Sequence, residues 1–234
     1  MNSNEQQELE RLFGSHPCIK ATLEQTCNLG GSNPAAAQAR PVFRDRESLL
    51  RHVVQRAKSL GTWIERIEDH ISGMIGNVQE NDVFLSADGY YVIKLNNFAL
   101  LSPSATSLDG FIHRLMAHNE LFPDDAYIII GFTHNSIGEP CVVLKQSFIE
   151  PLRYATDEEI DDFLESHGYT VDMDDIWFNG QYEISDVKSS NVLVDLDGNL
   201  HFIDAVVNNV NYKMDAVNKV SVKRPGRRSV KTNI

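Results

Sequence analysis

Between Ile184 and Asp204 the chain reads ISDVKSSNVLVDLDGNLHFID, and four of its residues carry side chains suited to proton and metal chemistry. Asp186, Lys188 and Asn191 fall in one short stretch that fits a tight loop, and Asp204 closes the apolar run that follows. Between the two lies Asp195-Leu-Asp-Gly-Asn199, a turn composition flanked by apolar residues, which predicts a hairpin. That hairpin would bring Asp204 back beside the loop, so that the oxygens of Asn191 and Asp204 face one another. Amide and carboxylate oxygen suit a hard cation such as Mg²⁺. Asp186 is then placed as a base and Lys188 as a mobile positive charge.

The elements that must hold this segment can be read from hydrophobic period and punctuation. Ser3 with Gln6 makes a capping box ahead of Leu9, Leu12 and Phe13, and Asp45 can cap a helix carrying Leu49, Leu50, Val53, Val54 and Ala57. The Gly-, Ala- and Pro-rich stretch 28–41 reads as a linker. NDVFLSADGYYVIKLNN predicts a hairpin about Ala87-Asp88-Gly89, and LDGFIHRLMAHNELF a helix with Phe111, Ile112, Leu115 and Met116 on one face. AYIIIGFTHN and EPCVVLKQSFI predict two more strands, joined at Ile137-Gly138. A second capping box, Thr156 with Glu159, opens a helix that ends near Gly168. Helices against a mostly antiparallel sheet make an α+β fold the simplest architecture.

The pattern D-x-K-x-x-N, followed thirteen residues later by an aspartate across a hairpin, resembles the protein-kinase catalytic loop and its metal-binding aspartate. A second motif agrees. Val92-Ile93-Lys94 sits in a hairpin strand with a helix after it, like the strand lysine of that fold. VFLSADGYYVIKLNNF, HNELFPDDAYIIIGFT, VVLKQSFI and SDVKSSNVLVDLDGNLHFID together resemble the Ser/Thr/Tyr kinase-like domain of polyvalent proteins, found in phages and conjugative elements. The resemblance spans about residues 70–210. It implies a compact protein-kinase-like fold with a small antiparallel N-lobe at 61–150 and a reduced C-lobe at 151–210; outside it, the residues themselves read as a helical extension at 1–60 and a basic tail at 211–234. It implies ATP and Mg²⁺ as cofactors and a protein hydroxyl as acceptor. Asp186 would accept the hydroxyl proton, Lys188 would steady the phosphoryl, and Asn191 and Asp204 would bind the metal. Lys94 would pair with the α- and β-phosphates, and the backbone of Lys145, Gln146 and Ser147 would form the hinge that reads adenine. Asp109, near the start of the helix, has the charge to pair with Lys94, with Glu120 as runner-up.

The departures are as specific. GMIGNVQEND keeps Gly73 and Gly76 but lacks G-x-G-x-x-G, which leaves backbone amides near Asn77–Asn81 to cover phosphate. Ile184-Ser185 replaces the His-Arg before the catalytic aspartate, and Ala-Val follows Asp204 in place of Phe-Gly. The resemblance therefore admits two alternatives: an inactive pseudokinase-like interaction module, or a small-molecule kinase.

Composition bounds the rest. The chain has 234 residues and a net charge of −12, which argues against a protein built to coat nucleic acid. Seven Lys/Arg and one Asp lie from Asn211 onward, and nine carboxylates with no Lys or Arg lie from Asp157 to Asp175. The tail could contact a phosphate-rich partner such as nucleic acid, or fold back on the acidic face. No apolar run is long enough to span a bilayer, and three cysteines without a C-x-x-C pair indicate neither a disulfide scaffold nor a zinc ribbon. The cytosol is the expected compartment. Ser185-x-x-Lys188 lacks the companion motifs of acyl-transfer enzymes, the Asp195 turn lacks the closing Glu of a calcium loop, and His113 and His118 make no H-E-x-x-H. They read as surface or core histidines, and Trp63 and Trp177 as packing anchors.

Overall fold

The computed structural model describes residues 3–14, 16–24, 26–27, 41–78, 81–172 and 175–210. The expected linker, apart from its last residue, the basic tail and the Ser3 side chain of the first capping box lie outside the described residues.

Among the described residues three helices come first: α1 (Ser3–Phe13), α2 (Pro17–Leu23) and α3 (Arg46–Ser59). The Asp45 carboxylate accepts the Ser48 amide at 2.7 Å, and the Ser48 hydroxyl accepts the Asp45 amide at 3.3 Å. A cap of this kind is worth about 1 kcal/mol. Leu49, Leu50, Val53 and Ala57 form the buried stripe of α3.

Five strands follow: β1 (Ile71–Val78), β2 (Asn81–Ser86), β3 (Tyr91–Asn96), β4 (Ile128–His134) and β5 (Pro140–Ser147). They form one sheet in the order β1-β2-β3-β5-β4, every neighbour antiparallel. Helix α4 (Asp109–Leu121) joins β3 to β4. The open side of β4 is closed by residues 62–64. The Phe132 amide donates to the Thr62 carbonyl at 3.0 Å, and the Ile64 amide donates to the Phe132 carbonyl at 2.7 Å. Gly131 makes this approach possible, because a Cβ there would stand 2.9 Å from both the Thr62 carbonyl and Ile64 Cδ1.

The second half holds β6 (Arg153–Tyr154), α5 (Asp157–Ser166), β7 (Thr170–Val171), β8 (Trp177–Phe178), β9 (Tyr182–Ser185), β10 (Val192–Val194), β11 (Leu200–Phe202) and β12 (Val206–Asn209). These strands make two small antiparallel sheets, β11-β10-β6 and β12-β9-β8-β7. The Thr156 and Glu159 box caps α5 as its sequence predicts. The result is a mixed α and β fold with antiparallel sheets. Among the described residues no helix is long and apolar enough to cross a membrane.

Two large cores meet at α4. One gathers Leu9, Leu12, Phe13, Ile19 and Leu23 from α1 and α2 with α3, with β4 and with Phe111, Ile112, Leu115 and Met116 of α4. The other gathers Trp177, Ile184, Val192, Phe202 and Val207 with Ala117 of α4 and Phe122 just after it. Helix α4 is therefore buried on most of its circumference, which is why its polar residues His118 and Asn119 are almost wholly inaccessible.

Candidate functional site

The hairpin logic operates as the sequence predicts. β10 and β11 pair Val192 with Phe202, and β12 then pairs with β9, Val206 opposite Ser185. Asp204 sits between these two pairings, so it lies beside the loop that joins β9 to β10.

That loop is fixed by its own polar groups. Asp186 has φ = +57°, a left-handed conformation that costs an L residue about 1 kcal/mol or more. The Asn191 side-chain amide donates to the Asp186 carbonyl at 2.8 Å, and the Asn191 main-chain amide donates to the Lys188 carbonyl at 2.8 Å. With its nitrogen committed to the loop, the Asn191 amide presents its oxygen, which among the described residues accepts only a long contact from Ser190 at 3.4 Å. The Lys188 ammonium lies 2.8 Å from the Asp186 carboxylate, and both side chains are solvent-accessible.

Lys94 reaches the same place from the five-stranded sheet. It lies within β3, paired with Leu144 and Val83, and its residue is only 3% exposed. Burying an ammonium costs several kcal/mol unless it is well paired. Its Nζ donates to the Ile203 carbonyl at 2.5 Å and to the Tyr127 hydroxyl at 3.2 Å, and it stands 3.3 Å from Asp204 Oδ1. None of these partners is on α4. Asp109 lies in the first turn of that helix with the Ser107 hydroxyl on its carboxylate at 3.2 Å, and Glu120 lies on the side of Glu8 of α1.

The main chain before Asp204 is held on all its polar atoms. The Phe202 amide donates to Asp125 Oδ2 at 2.8 Å, and the Phe202 carbonyl accepts His118 Nε2 at 2.9 Å. The Ile203 amide donates to the Asn191 carbonyl at 3.0 Å, and its carbonyl accepts both Lys94 and the Tyr127 hydroxyl, the latter at 2.7 Å. His118, Asp125 and Tyr127 were not singled out by sequence as site-forming residues. The available signals were a histidine on a helix face and an Asp-Asp-Ala-Tyr turn before an apolar strand, and neither names its partner.

Burial dominates the electrostatics here. It depresses the His118 pKa to about 4, although the bond to the Phe202 carbonyl works against it. The ring is therefore neutral, with the proton on Nε2, and its buried Nδ1 has no hydrogen-bond partner among the described residues. Burial likewise raises the Asp125 carboxyl above its ordinary range, opposed by its hydrogen bond to His201. His201 lies between two carboxylates, Nδ1 at 2.7 Å from Asp125 and Nε2 at 3.2 Å from Asp195. Its own burial works to lower its pKa, but the hydrogen bonds and charges of those two aspartates prevail and hold it above the usual histidine value.

The stretch Lys145–Ser147 lies inside β5, paired residue by residue with β3 from Ile93 to Tyr91. Gln146 is buried and donates to the Asp125 carbonyl at 2.6 Å, while the Lys145 ammonium stands 4.1 Å from the centre of the Tyr91 ring. The next amide, Phe148, donates to the Tyr90 carbonyl at 3.0 Å. Gly73 and Gly76 both lie within β1, and Asn77 and Asn81 belong to the β1–β2 ladder. Residues 79 and 80 lie outside the described residues.

The donor chemistry fits Mg²⁺. Asn191 and Asp204 offer two oxygen ligands, in keeping with an ion that keeps waters and completes its shell with phosphate rather than with a protein cage. Asp204 retains a quarter of its side-chain exposure, so its carboxylate is reachable. Among the described residues no group of three or more His, Cys, Asp or Glu is placed to hold a metal ion.

No curated protein matches the chain. The family model for a serine/threonine/tyrosine kinase found in polyvalent proteins matches residues 46–210, so the similarity begins at α3, before the stretch that sequence reading marked. With well over half of its length and every candidate site residue inside that match, the chain belongs to this kinase family.

Proposed function

We propose that this protein is an ATP- and Mg²⁺-dependent phosphotransferase that phosphorylates a hydroxyl side chain of a protein, within a phage or conjugative element. The observation that carries the reading is the meeting of Lys94 with Asp204, 110 residues apart in sequence, beside the loop that holds Asp186 and Asn191. In this reading residues 61–150 and 151–210 act as the two lobes of a kinase, and family membership supports a protein substrate.

Bound ATP with Mg²⁺ would supply the transferable phosphoryl group and neutralise its charge. Asn191 and Asp204 would hold the metal through their side-chain oxygens. Lys94 would offer its ammonium to the α- and β-phosphates. Asp186, 42% exposed and backed by Lys188, orients the acceptor hydroxyl and takes its proton. Lys188 then faces the transferring group with its positive charge. Catalysis of this type is positioning and electrostatics, so loss of one member costs orders of magnitude in rate.

A nucleotide-binding module without turnover is the second reading, favoured by one observation: Gly73 and Gly76 are consumed in the β1 strand. Calorimetric titration with Mg-ATP and a radiolabelled transfer assay, run on wild type, Asp204→Asn and Lys94→Ala, separate the two. Transfer that both substitutions abolish supports the enzyme. Binding without transfer supports the module, and absence of any nucleotide binding overturns both.

A further inference from the structure

We propose that Tyr127 is the positioning residue for Lys94, taking the place that a helix carboxylate would otherwise hold. This inference rests on the reading of Lys94 and Asp204 given above.

Four observations carry it. The Tyr127 hydroxyl donates to the Ile203 carbonyl at 2.7 Å, which aims its lone pairs elsewhere, and it accepts the Lys94 ammonium at 3.2 Å. The ammonium also lies 5.1 Å from the centre of the Tyr127 ring, within reach of its π face. The residue is fixed from α4: Asn119 accepts the Tyr127 amide at 2.8 Å and donates to its carbonyl at 2.9 Å. The His118 ring packs on the tyrosine with centroids 4.6 Å apart. Helix α4 thus acts on Lys94 by clamping a tyrosine that stands just before β4.

The substitution of a neutral partner for a carboxylate has a chemical meaning. Among the described residues Asp204 is the one carboxylate on the Lys94 ammonium, and it is the group that a metal ion would claim. Once Asp204 is engaged, the Tyr127 hydroxyl and the Ile203 carbonyl keep Lys94 in place without neutralising it. Its full positive charge is then available to phosphate. Burial raises the tyrosine hydroxyl well above its ordinary pKa, so it stays neutral throughout the working range.

The test is Tyr127→Phe in the full chain, which keeps the ring and removes one oxygen. Without nucleotide, acylation of Lys94 by a water-soluble succinimidyl ester is followed by peptide mass spectrometry. Alkylation of the buried thiols Cys27 and Cys141 is the control for global opening. The expected result is Lys94 acylation about tenfold faster, from loss of a hydrogen bond to a charged group, with both thiols as slow as in wild type. With Mg-ATP, kcat is expected to fall about tenfold and KM for ATP to stay within about twofold, because the lost contact serves the transition state. If Tyr127→Phe opens the thiols, the same readings are taken on Asn119→Ser, which loosens the clamp and should raise Lys94 acylation by a smaller factor. Wild-type acylation of Lys94 with the thiols closed overturns the inference. A wild-type chain that transfers no phosphoryl overturns the kinase reading, while acylation still decides the seat of Lys94.

Discussion

The side-chain amide of Asn191 and the main-chain carbonyl of Asp186 are joined at 2.8 Å across a loop in which Asp186 is held at φ = +57°. One bond therefore fixes the candidate base in a conformation it would otherwise avoid, and at the same time commits the Asn191 nitrogen so that only its oxygen is left to other partners. Strain of this sort persists where surrounding contacts over-determine it.

Two substitutions at Asp186 separate strain from chemistry, since both remove the carboxylate and differ only in a Cβ. Asp186→Gly is expected to be about 1 kcal/mol more stable than Asp186→Ala, because glycine enters the left-handed region freely. Phosphoryl transfer should fall at least about a hundredfold in both. Urea denaturation compares the stabilities; equal values would show that the backbone there is not strained.

Stability should peak near neutral pH, for reasons that reside in two histidines. His118 has its folded pKa depressed to about 4 from 6.5, so the unfolded chain binds a proton that the folded chain refuses. Its contribution is complete above pH 6.5 and is lost as pH falls, at up to about 1.4 kcal/mol per unit. His201 has its folded pKa raised, so its contribution is complete below the ordinary histidine value and is lost as pH rises through the folded one. Urea melts across pH 5 to 8 should trace a dome. His118→Gln, which keeps a donor for the Phe202 carbonyl, should flatten the acid side alone.

What the sequence disclosed and what it hid divide along the range of the interactions. The turns with Gly89 and Gly198 at positive φ, the caps of α3 and α5 and the apolar face of α4 are short-range features, and each is legible in neighbouring residues. The D-x-K-x-x-N loop and its hairpin are equally local. The seat of Lys94 was not legible, because Tyr127 and Ile203 stand 33 and 109 residues from it. Nor could the sequence show that Asp125, in a turn of acidic composition, would be buried on the Phe202 amide. Strands of two residues, such as β6 to β8, carry too little alternation to announce themselves.

Gly131→Ala should destabilise the fold although it adds only a methyl group. The clash includes the main-chain carbonyl of Thr62, which cannot rotate away as a side chain would. Overpacking of this kind costs about 2 kcal/mol, or about 5 °C in Tm for a chain of this size. Differential scanning calorimetry reads it directly; an unchanged Tm would mean that residues 62–64 are free to lift from β4.

A double-mutant cycle on Lys94→Met and Asp204→Asn should return a coupling of about 1 kcal/mol in the absence of nucleotide. The figure is modest for a buried lysine because Asp204 keeps a quarter of its side-chain exposure and is partly screened. A coupling near zero would mean that the Ile203 carbonyl and Tyr127 hold the ammonium without help from the carboxylate.

The border of the family match and the border of the core do not coincide. The match opens at residue 46, yet Leu9, Leu12, Phe13, Ile19 and Leu23 are buried in the same cluster as α4 and β4. Arg11 of α1 also donates to the Pro123 carbonyl at 2.6 Å, in the turn whose Asp125 holds the strand before Asp204. Modularity in this chain thus has two meanings that diverge: the portion shared by descent could be transplanted into another protein only with its first two helices attached. Without them the graft would carry a greasy scar along α4, against the very helix that seats the tyrosine behind Lys94.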